Sequence, residues 1–340
     1  VGMYPQIKGV AMQAVVVTEY GGPEVLREVD MDEPHAGPGQ IRIRVYAATV
    51  NPADVLLRVG DIDEALRSST LSPPYRPGME VAGLVDEIGP DTSTGLAIGD
   101  RVMAIMMPID ASGGAYAGFV VVDADQATTA PAGSSHVEAA TLPMNGLTAR
   151  RALDVLGLQP GQTLAVTGAA GAVGGYVVQL AKADGLHIIA DAAPADEQLI
   201  TTLGADEIVA RGPGVGQRIR QRHPEGVAAV VDTALQGDEV LPALRDRGQI
   251  AIVRRPGERG TSALHPERGI TIQDVWVPDY THATDKLDSL RALAEQNKVT
   301  LRVARTYRAA EAAEAHRAIE RGGVRGRLVL TFHDDEEITE

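Results

Sequence analysis

"LAVTGAAGAVGGYVVQLAKADG", residues 164–185, decides how this chain folds. A short apolar run, Leu164 to Val166, meets Ala169, Gly171 and Gly174 in A-x-G-x-x-G spacing, and apolar residues at helical spacing follow. That order predicts a strand, a tight turn and a helix. Gly171 lets the backbone approach a pyrophosphate, and Gly174 lets the helix lie close on the strand. The first helical residues, Ala172 and Val173, then offer free N–H groups and partial positive charge to phosphate oxygens. The next apolar run, "HIIAD", closes on Asp191, near the spacing at which a carboxylate holds an adenosine ribose. The stretch predicts a dinucleotide site. The alternative is a tightly packed turn with no ligand.

Outward from this turn, "EQLITTLGA", "EIVA", "AAVVDTA", "GQIAIV" and "GITIQDVWV" alternate helix-like and strand-like patterns. Such alternation predicts βαβ units and a doubly wound, mostly parallel sheet. The first third is β-rich instead. "QIRIRVYAATV" sets Ile41, Ile43 and Val45 on one face and Arg42, Arg44 and Tyr46 on the other, and "VAGLVDEIG", "DRVMAIM" and "GFVVVDAD" are further strand candidates. After Pro278 come a helix ("KLDSLRALAEQ"), a strand ("TLRVART"), a helix ("AAEAAEAHRAIERG") and a last strand ("GRLVLTF"), which is expected to return to the first domain.

The bulk composition sets limits. With 340 residues there is room for two domains, and with 44% apolar but 3% aromatic residues the cores must be built from Ala, Val, Leu and Ile. A net charge of −15 argues against nucleic acid or an anionic membrane as a partner held by bulk attraction. No cysteine is present, which excludes disulfides, thiolate zinc sites, iron–sulfur clusters and a cysteine nucleophile. No apolar run reaches membrane-spanning length and no secretory signal opens the sequence, so a cytoplasmic protein is expected. "HDDEEITE" reads as a frayed acidic tail.

Eight stretches in order, "AVVVTEYGGPEVL", "VNPADVLLRVG", "YRPGMEVAGLVDEIG", "IGDRVMA", "GLTARRAL", "LQPGQTLAVTGAAGAVG", "LGADEIV" and "RGRLVLTF", resemble the medium-chain dehydrogenase/reductase superfamily, in its zinc-independent quinone oxidoreductase and enoyl reductase branch. The resemblance runs from about Met12 to Phe332. It implies an α/β fold: a GroES-like β-rich domain at 12–141, a Rossmann doubly wound parallel-sheet domain at 142–278, and a return to the first domain at 279–333, with 1–11 and 334–340 as terminal extensions. Zinc-using relatives draw metal ligands from positions that align with Asn51, Met79 and Thr141, and these residues make no zinc-ligand set. The eight histidines are scattered in sequence, and no metal is expected.

The resemblance also assigns roles. Asn51 is placed beside the nicotinamide, with capping of the "NPAD" turn as its structural alternative; Asp54 of that turn is read as a structural partner. Thr148 resembles a position near the nicotinamide. Arg327 aligns with a basic residue directed at the pyrophosphate, and Glu80 with an acidic residue beside it. Relatives that carry a tyrosine in "RxGxY" differ from this chain, which has Ile62 there. Tyr75, Tyr116, Tyr280 or water is left to supply a proton, Tyr75 being the catalytic candidate. Trp276 and Tyr280 are expected near the pocket rim or a subunit interface.

Together these readings predict a metal-free NAD(P)H-dependent reductase acting on a quinone or an activated enone or enoyl double bond. The alternatives are a non-redox cyclase or lyase on the same scaffold, or an idle NAD(P)H sensor. The expected partners are a small-molecule substrate and a second copy in a homodimer joined along "GITIQDVWV". For the cofactor, the resemblance implies NADPH, whereas Asp191, with no basic residue between Lys182 and Arg211 unless Arg254 or Arg255 folds over the adenosine, leans to NADH.

Overall fold

The computed structural model describes residues 11–333. Of the expected extensions at 1–11 and 334–340, residues 1–10 and 334–340 lie outside the described residues, and Ala11 opens the first strand. The chain opens with an antiparallel hairpin of β1 (Ala11–Val17) and β2 (Leu26–Asp32). There follow β3 (Gln40–Thr49), α1 (Pro52–Val59), α2 (Asp63–Ser68), β4 (Glu80–Ile88), β5 (Arg101–Ile105), β6 (Phe119–Asp123) and β7 (Ala127–Thr129). The stretch "DEALRSSTLS" beyond Ile62 thus supplies the short helix α2.

β3 shows how the alternation works and where it stops. Ile41, Ile43 and Val45 are fully buried, while Arg42 and Arg44 remain partly exposed. Tyr46, expected on the polar face, is buried as well: its ring stacks on His136, centroids 4.6 Å apart. His136 opens α3 (His136–Ala139), which covers that face at this point.

The helix α4 (Pro143–Leu156) then leads into the alternating region: β8 (Thr163–Thr167), α5 (Ala172–Ala183), β9 (His187–Ala192), α6 (Glu197–Leu203), β10 (Glu207–Ala210), α7 (Val215–Arg222), β11 (Val227–Asp232), β12 (Leu244–Ile252) and β13 (Thr271–Asp274). These strands lie in the order β10-β9-β8-β11-β12-β13 and every pairing is parallel. From β8 the chain steps outward to β10, then crosses back to place β11 on the far side of β8. The crevice of a doubly wound sheet opens at that reversal, beyond the strands' C-terminal ends. β11 is buried along its whole length, as a strand covered on both faces must be.

After α8 (Thr284–Glu295) come β14 (Val303–Arg308), α9 (Ala312–Arg321) and β15 (Arg327–Thr331). β15 pairs antiparallel with Ala47–Thr49 of β3, so the chain's last strand joins the first sheet. The two sheets share apolar packing through α4: Met79, Ala82 and Met103 of the first belong to one buried cluster with Leu142, Leu147 and Leu153, and with Val166 and Val177 of the second.

Candidate functional site

A cavity of about 970 Å³ opens between the two sheets. One wall is formed by Gly168, Gly171–Gly174, Thr233, Val253 and Val275, at the C-terminal ends of β8, β11, β12 and β13. The other carries Asn51, Leu56, Ile62, Met79, Met107 and Ile109, with Met144 and Thr148 of α4 between them.

The glycines of the turn differ in what demands them. Gly168 has φ +69°, a conformation that side chains rarely adopt. A Cβ on Gly174 would stand 2.4 Å from the Gly168 carbonyl oxygen and 2.9 Å from the Ala169 Cα, so packing alone requires glycine there. Gly171 is extended (φ −69°, ψ 179°), and a Cβ on it would meet only the Gly168 carbonyl oxygen, at 3.1 Å. That single contact is tight, yet Gly171 is constrained by the fold less than Gly174. Its bareness leaves room in the cavity at the start of α5, where N–H groups attract an anion. Ala172 and Val173 line the same space, whereas Ala169 is buried in the turn itself.

Asp191, the acid expected at the ribose, also meets the glycine turn. It is buried, and its Oδ1 accepts the N–H of Ala169 at 3.2 Å, so the carboxylate braces the turn from beneath. Burial pushes its pKa up, against the opposing pull of the turn's N–H groups. Side chains alternate along a strand, and Asp191 is one position short of the end of β9. It is not among the residues that line the cavity. Arg254 and Arg255 both line the cavity: Arg254 bonds Glu258, and Arg255 bonds Asp274 and lies over the Trp276 ring.

At the cavity floor Arg327 and Glu80 are both buried and form an ion pair. Arg327 also donates to the Thr49 hydroxyl and, at 2.8 Å, to Asn51 Oδ1. Glu80 accepts from the Thr49 hydroxyl through one oxygen and from the Met144 N–H, at 2.7 Å, through the other. Asn51 and Arg327 line the cavity, so the network connects a polar floor to the cleft. Thr49 and the Met144 N–H had no signal in the sequence; only the pairing of β3 with β15 and the approach of α4 bring them in. Thr148 also lines the cavity, with its hydroxyl donated to the Met144 carbonyl at 2.7 Å.

Behind Asn51, Asp54 takes over the capping role. Its carboxylate accepts from the N–H of Asn51 (2.8 Å), the N–H of Gly78 (2.7 Å) and the Tyr116 hydroxyl (3.1 Å). Full burial raises its pKa to about 6, although all three hydrogen bonds oppose the rise. Tyr116 reaches His316 as well, at 3.2 Å, and burial lowers the His316 pKa to about 3.

None of the expected tyrosines lines the large cavity. Tyr75 stacks on Tyr20, centroids 6.5 Å apart, beside a smaller separate pocket. Tyr116 is fully buried on Asp54, and Tyr280 donates to Asp154 at 2.6 Å. Trp276 does stand at the cavity, half exposed. Across the mouth, Arg259 forms an exposed ion pair with Asp61. Of the three positions aligned with zinc ligands, Asn51 and Met79 line the cavity, whereas Thr141 bonds the Glu138 carbonyl and the Tyr176 hydroxyl. Amide, thioether and hydroxyl do not make a zinc site. Among the described residues, the His and acidic groups close enough to share an ion are Asp123, Asp125 and His282, all exposed and away from the cleft.

Comparison with known proteins agrees with this geometry. The family described as "Alcohol dehydrogenase GroES-like domain" matches residues 37–132, and that described as "Zinc-binding dehydrogenase" matches 203–330. A chloroplastic quinone-oxidoreductase QR1 from Triphysaria versicolor is 31% identical over 260 residues, which cover 74% of this chain and 77% of that protein. The chain belongs to the medium-chain dehydrogenase/reductase family. A stretch of the spectinabilin polyketide synthase system protein NorB from Streptomyces orinoci is 30% identical over 87% of this chain, which spans 13% of that protein. The structure of mycobacterial Rv1454c complexed with NADPH superposes with a TM-score of 0.80 at 27% identity, covering 94% of this chain and 99% of that one. This family member is an NAD(P)H-dependent oxidoreductase with a small-molecule substrate. No helix among its described residues is long and apolar enough to cross a membrane.

Two outcomes follow from the site's geometry. Gly171→Val puts a branched side chain into the cavity at the start of α5, so it is expected to abolish cofactor binding at a smaller cost in stability than Gly174→Ala, which is expected to lose about 1–3 kcal/mol through overpacking. Titration of the Gly171→Val protein with reduced cofactor, beside urea unfolding of both variants, checks this, and unchanged affinity in Gly171→Val refutes it. Asp54 generates the second. Its folded pKa lies above the unfolded value of 3.8, so its contribution to stability is fully present below that value and is lost as pH rises through about 6. Relative to Asp54→Asn, the wild type should lose roughly 3 kcal/mol over this window. A difference that stays flat from pH 3.5 to 6.5 in urea unfolding rules out the raised pKa.

Proposed function

We propose that this oxidoreductase reduces an activated carbon–carbon double bond or a quinone without a metal ion. The supporting observation is that Asn51 and Arg327, backed by the buried Glu80, face a stretch of the chamber lined by Met79, Met107, Met144, Leu56 and Ile109. An apolar chamber favours a substrate whose reactive carbonyl is its main polar group. Among the described residues its lining also offers no thiolate, histidine or free carboxylate to hold zinc, since the acids at its mouth, Asp61, Glu258 and Asp274, are each paired with arginine.

A reduced nicotinamide, when bound along the glycine wall, supplies the hydride. For an enone, hydride adds to the β-carbon, the double-bond pair shifts toward the carbonyl, and a proton is later added at the α-carbon. The protein's task is to stabilise charge on the carbonyl oxygen. Arg327 donates to Asn51 Oδ1 and so polarises the amide; Asn51 Nδ2 has only long contacts, 3.4 Å to the Thr49 carbonyl and hydroxyl oxygens, and is the donor for that oxygen. Thr148 has spent its proton on Met144, which leaves its lone pairs to accept from an amide N–H such as the carboxamide of nicotinamide. With no tyrosine among the described residues that line the chamber, water entering through the mouth delivers the proton to the α-carbon.

Cofactor carrying deuterium on its transferred face should leave that deuterium on the β-carbon of a reduced enone, with activity unchanged by chelators. A product without label, or about one zinc per chain by elemental analysis, would sink the proposal. Asn51→Ala should lower kcat by about 10²-fold, the size of one oxyanion donor, with cofactor affinity nearly kept. Normal kcat in a less stable protein would make Asn51 a structural residue only.

A further inference from the structure

The helices α1 and α9 meet through two polar links set in apolar packing. Asp54 and Arg58 stand one turn apart on α1, and His316 and Glu320 one turn apart on α9. Arg58, almost fully buried, pairs with Glu320. Tyr116 stands between the other two: its hydroxyl lies 3.1 Å from Asp54 Oδ2 and 3.2 Å from His316 Nε2. Leu57 of α1 and Ala312 and Ala315 of α9 belong, with Tyr116, to one buried apolar cluster.

The direction of this chain of hydrogen bonds follows from counting protons. At pH 7.5 Asp54, with a pKa of about 6, is ionised and only accepts. Burial and the neighbouring Asp54 charge keep the Tyr116 hydroxyl protonated, so its single proton goes to Asp54. Burial, with the Arg58 guanidinium beside it, keeps His316 neutral, and one ring nitrogen carries the proton. The Tyr116 oxygen then has only lone pairs to offer, so Nε2 is the protonated nitrogen. Nδ1, buried without a hydrogen-bond partner among the described residues, keeps its lone pair. A proton on Nδ1 instead would bury an unsatisfied donor and set two lone pairs face to face. The chain runs from His316 through Tyr116 to Asp54, whose Oδ2 also takes the Asn51 N–H.

We propose that Tyr116 and His316 are positioning residues for the reduction: they aim the Asp54 carboxylate at the Asn51 N–H and so fix the angle at which the Asn51 amide meets the substrate carbonyl. Asn51 is then held at two points, its N–H by Asp54 and its Oδ1 by Arg327, each at 2.8 Å. Neither Tyr116 nor His316 lines the cavity; both act through Asp54. The inference rests on the reading of Asn51 as the donor to that carbonyl.

Turnover of the enone benzylideneacetone tests it, in wild type, Tyr116→Phe, His316→Leu, His316→Gln, Asn51→Ala and the double variant Tyr116→Phe/Asn51→Ala. Tyr116→Phe and His316→Leu should each lower kcat about tenfold, the scale of one hydrogen bond, with KM and the affinity for reduced cofactor changed less than about twofold. His316→Gln, which keeps an N–H donor near the Nε2 position, should stay within about twofold of wild type. With Asn51→Ala already in place, Tyr116→Phe should change kcat less than about twofold, because the residue it positions is gone. Where Tyr116→Phe does not fold, His316→Leu against His316→Gln makes the same comparison. In the wild-type protein at pH 7.5, the imidazole nitrogen shifts of His316 should report the Nε2–H tautomer. Unchanged kcat in Tyr116→Phe, a further tenfold loss in the double variant, a His316→Gln as slow as His316→Leu, or the Nδ1–H tautomer would overturn the inference and leave the Asn51 reading intact. Normal kcat in Asn51→Ala would instead overturn that reading and the inference with it.

Discussion

A buried carboxylate has to be satisfied on every side, and Glu80 imposes that demand on four separate parts of the chain. Its charge is met by Arg327 of β15, its oxygens by the Thr49 hydroxyl of β3 and the Met144 N–H of α4, and it is itself the first residue of β4. Removing either charge would leave the other uncompensated in the interior, at a cost of roughly 3–5 kcal/mol. The ion pair therefore acts as a register mark: β15 must pair with β3 where Arg327 reaches Glu80, and α4 must begin where Met144 reaches it. Once these are set, Asn51 follows directly, because Arg327 holds its side-chain oxygen.

Asp54 repeats the arrangement one layer further out. It ties the Asn51 N–H to the Gly78 N–H, so the residue before α1 and the residue before Met79 cannot move independently. The floor of the cleft is thus fixed from below by two acids that never face the substrate. Polar groups at the cleft surface gain orientation from this support, which is what stabilising a short-lived oxyanion requires.

The fold was legible because its signals are local and repeated. The glycine turn, the apolar alternation of β3 and the βα rhythm after residue 160 each follow from geometry within one segment. The pair Glu80–Arg327 was legible too, but through family resemblance. What escaped were consequences of register and of contact between distant segments. The hydrogen bond from the Ala169 N–H to Asp191 joins the end of β9 to the glycine turn, a contact that spacing alone does not announce. Tyr75 lies beside "RPGME" in sequence and still points to another pocket. Tyr46 was assigned to a solvent face that α3 covers. Arg302, which holds the carbonyls of the glycine turn, lies far from it in sequence and inside a stretch that reads as an ordinary strand.

The cleft has unequal edges. Along α4 the two sheets share a continuous apolar core and the buried Glu80 network, so relative motion there would separate packed side chains and expose charge. Across the mouth, the Arg259–Asp61 contact lies in water, where solvent and salt weaken it. Mechanically the two margins differ in what opening them would cost: packed side chains and a buried ion pair along α4, and one solvated contact across the mouth. A molecule that reaches the floor from the mouth side therefore meets polar groups already held by buried partners.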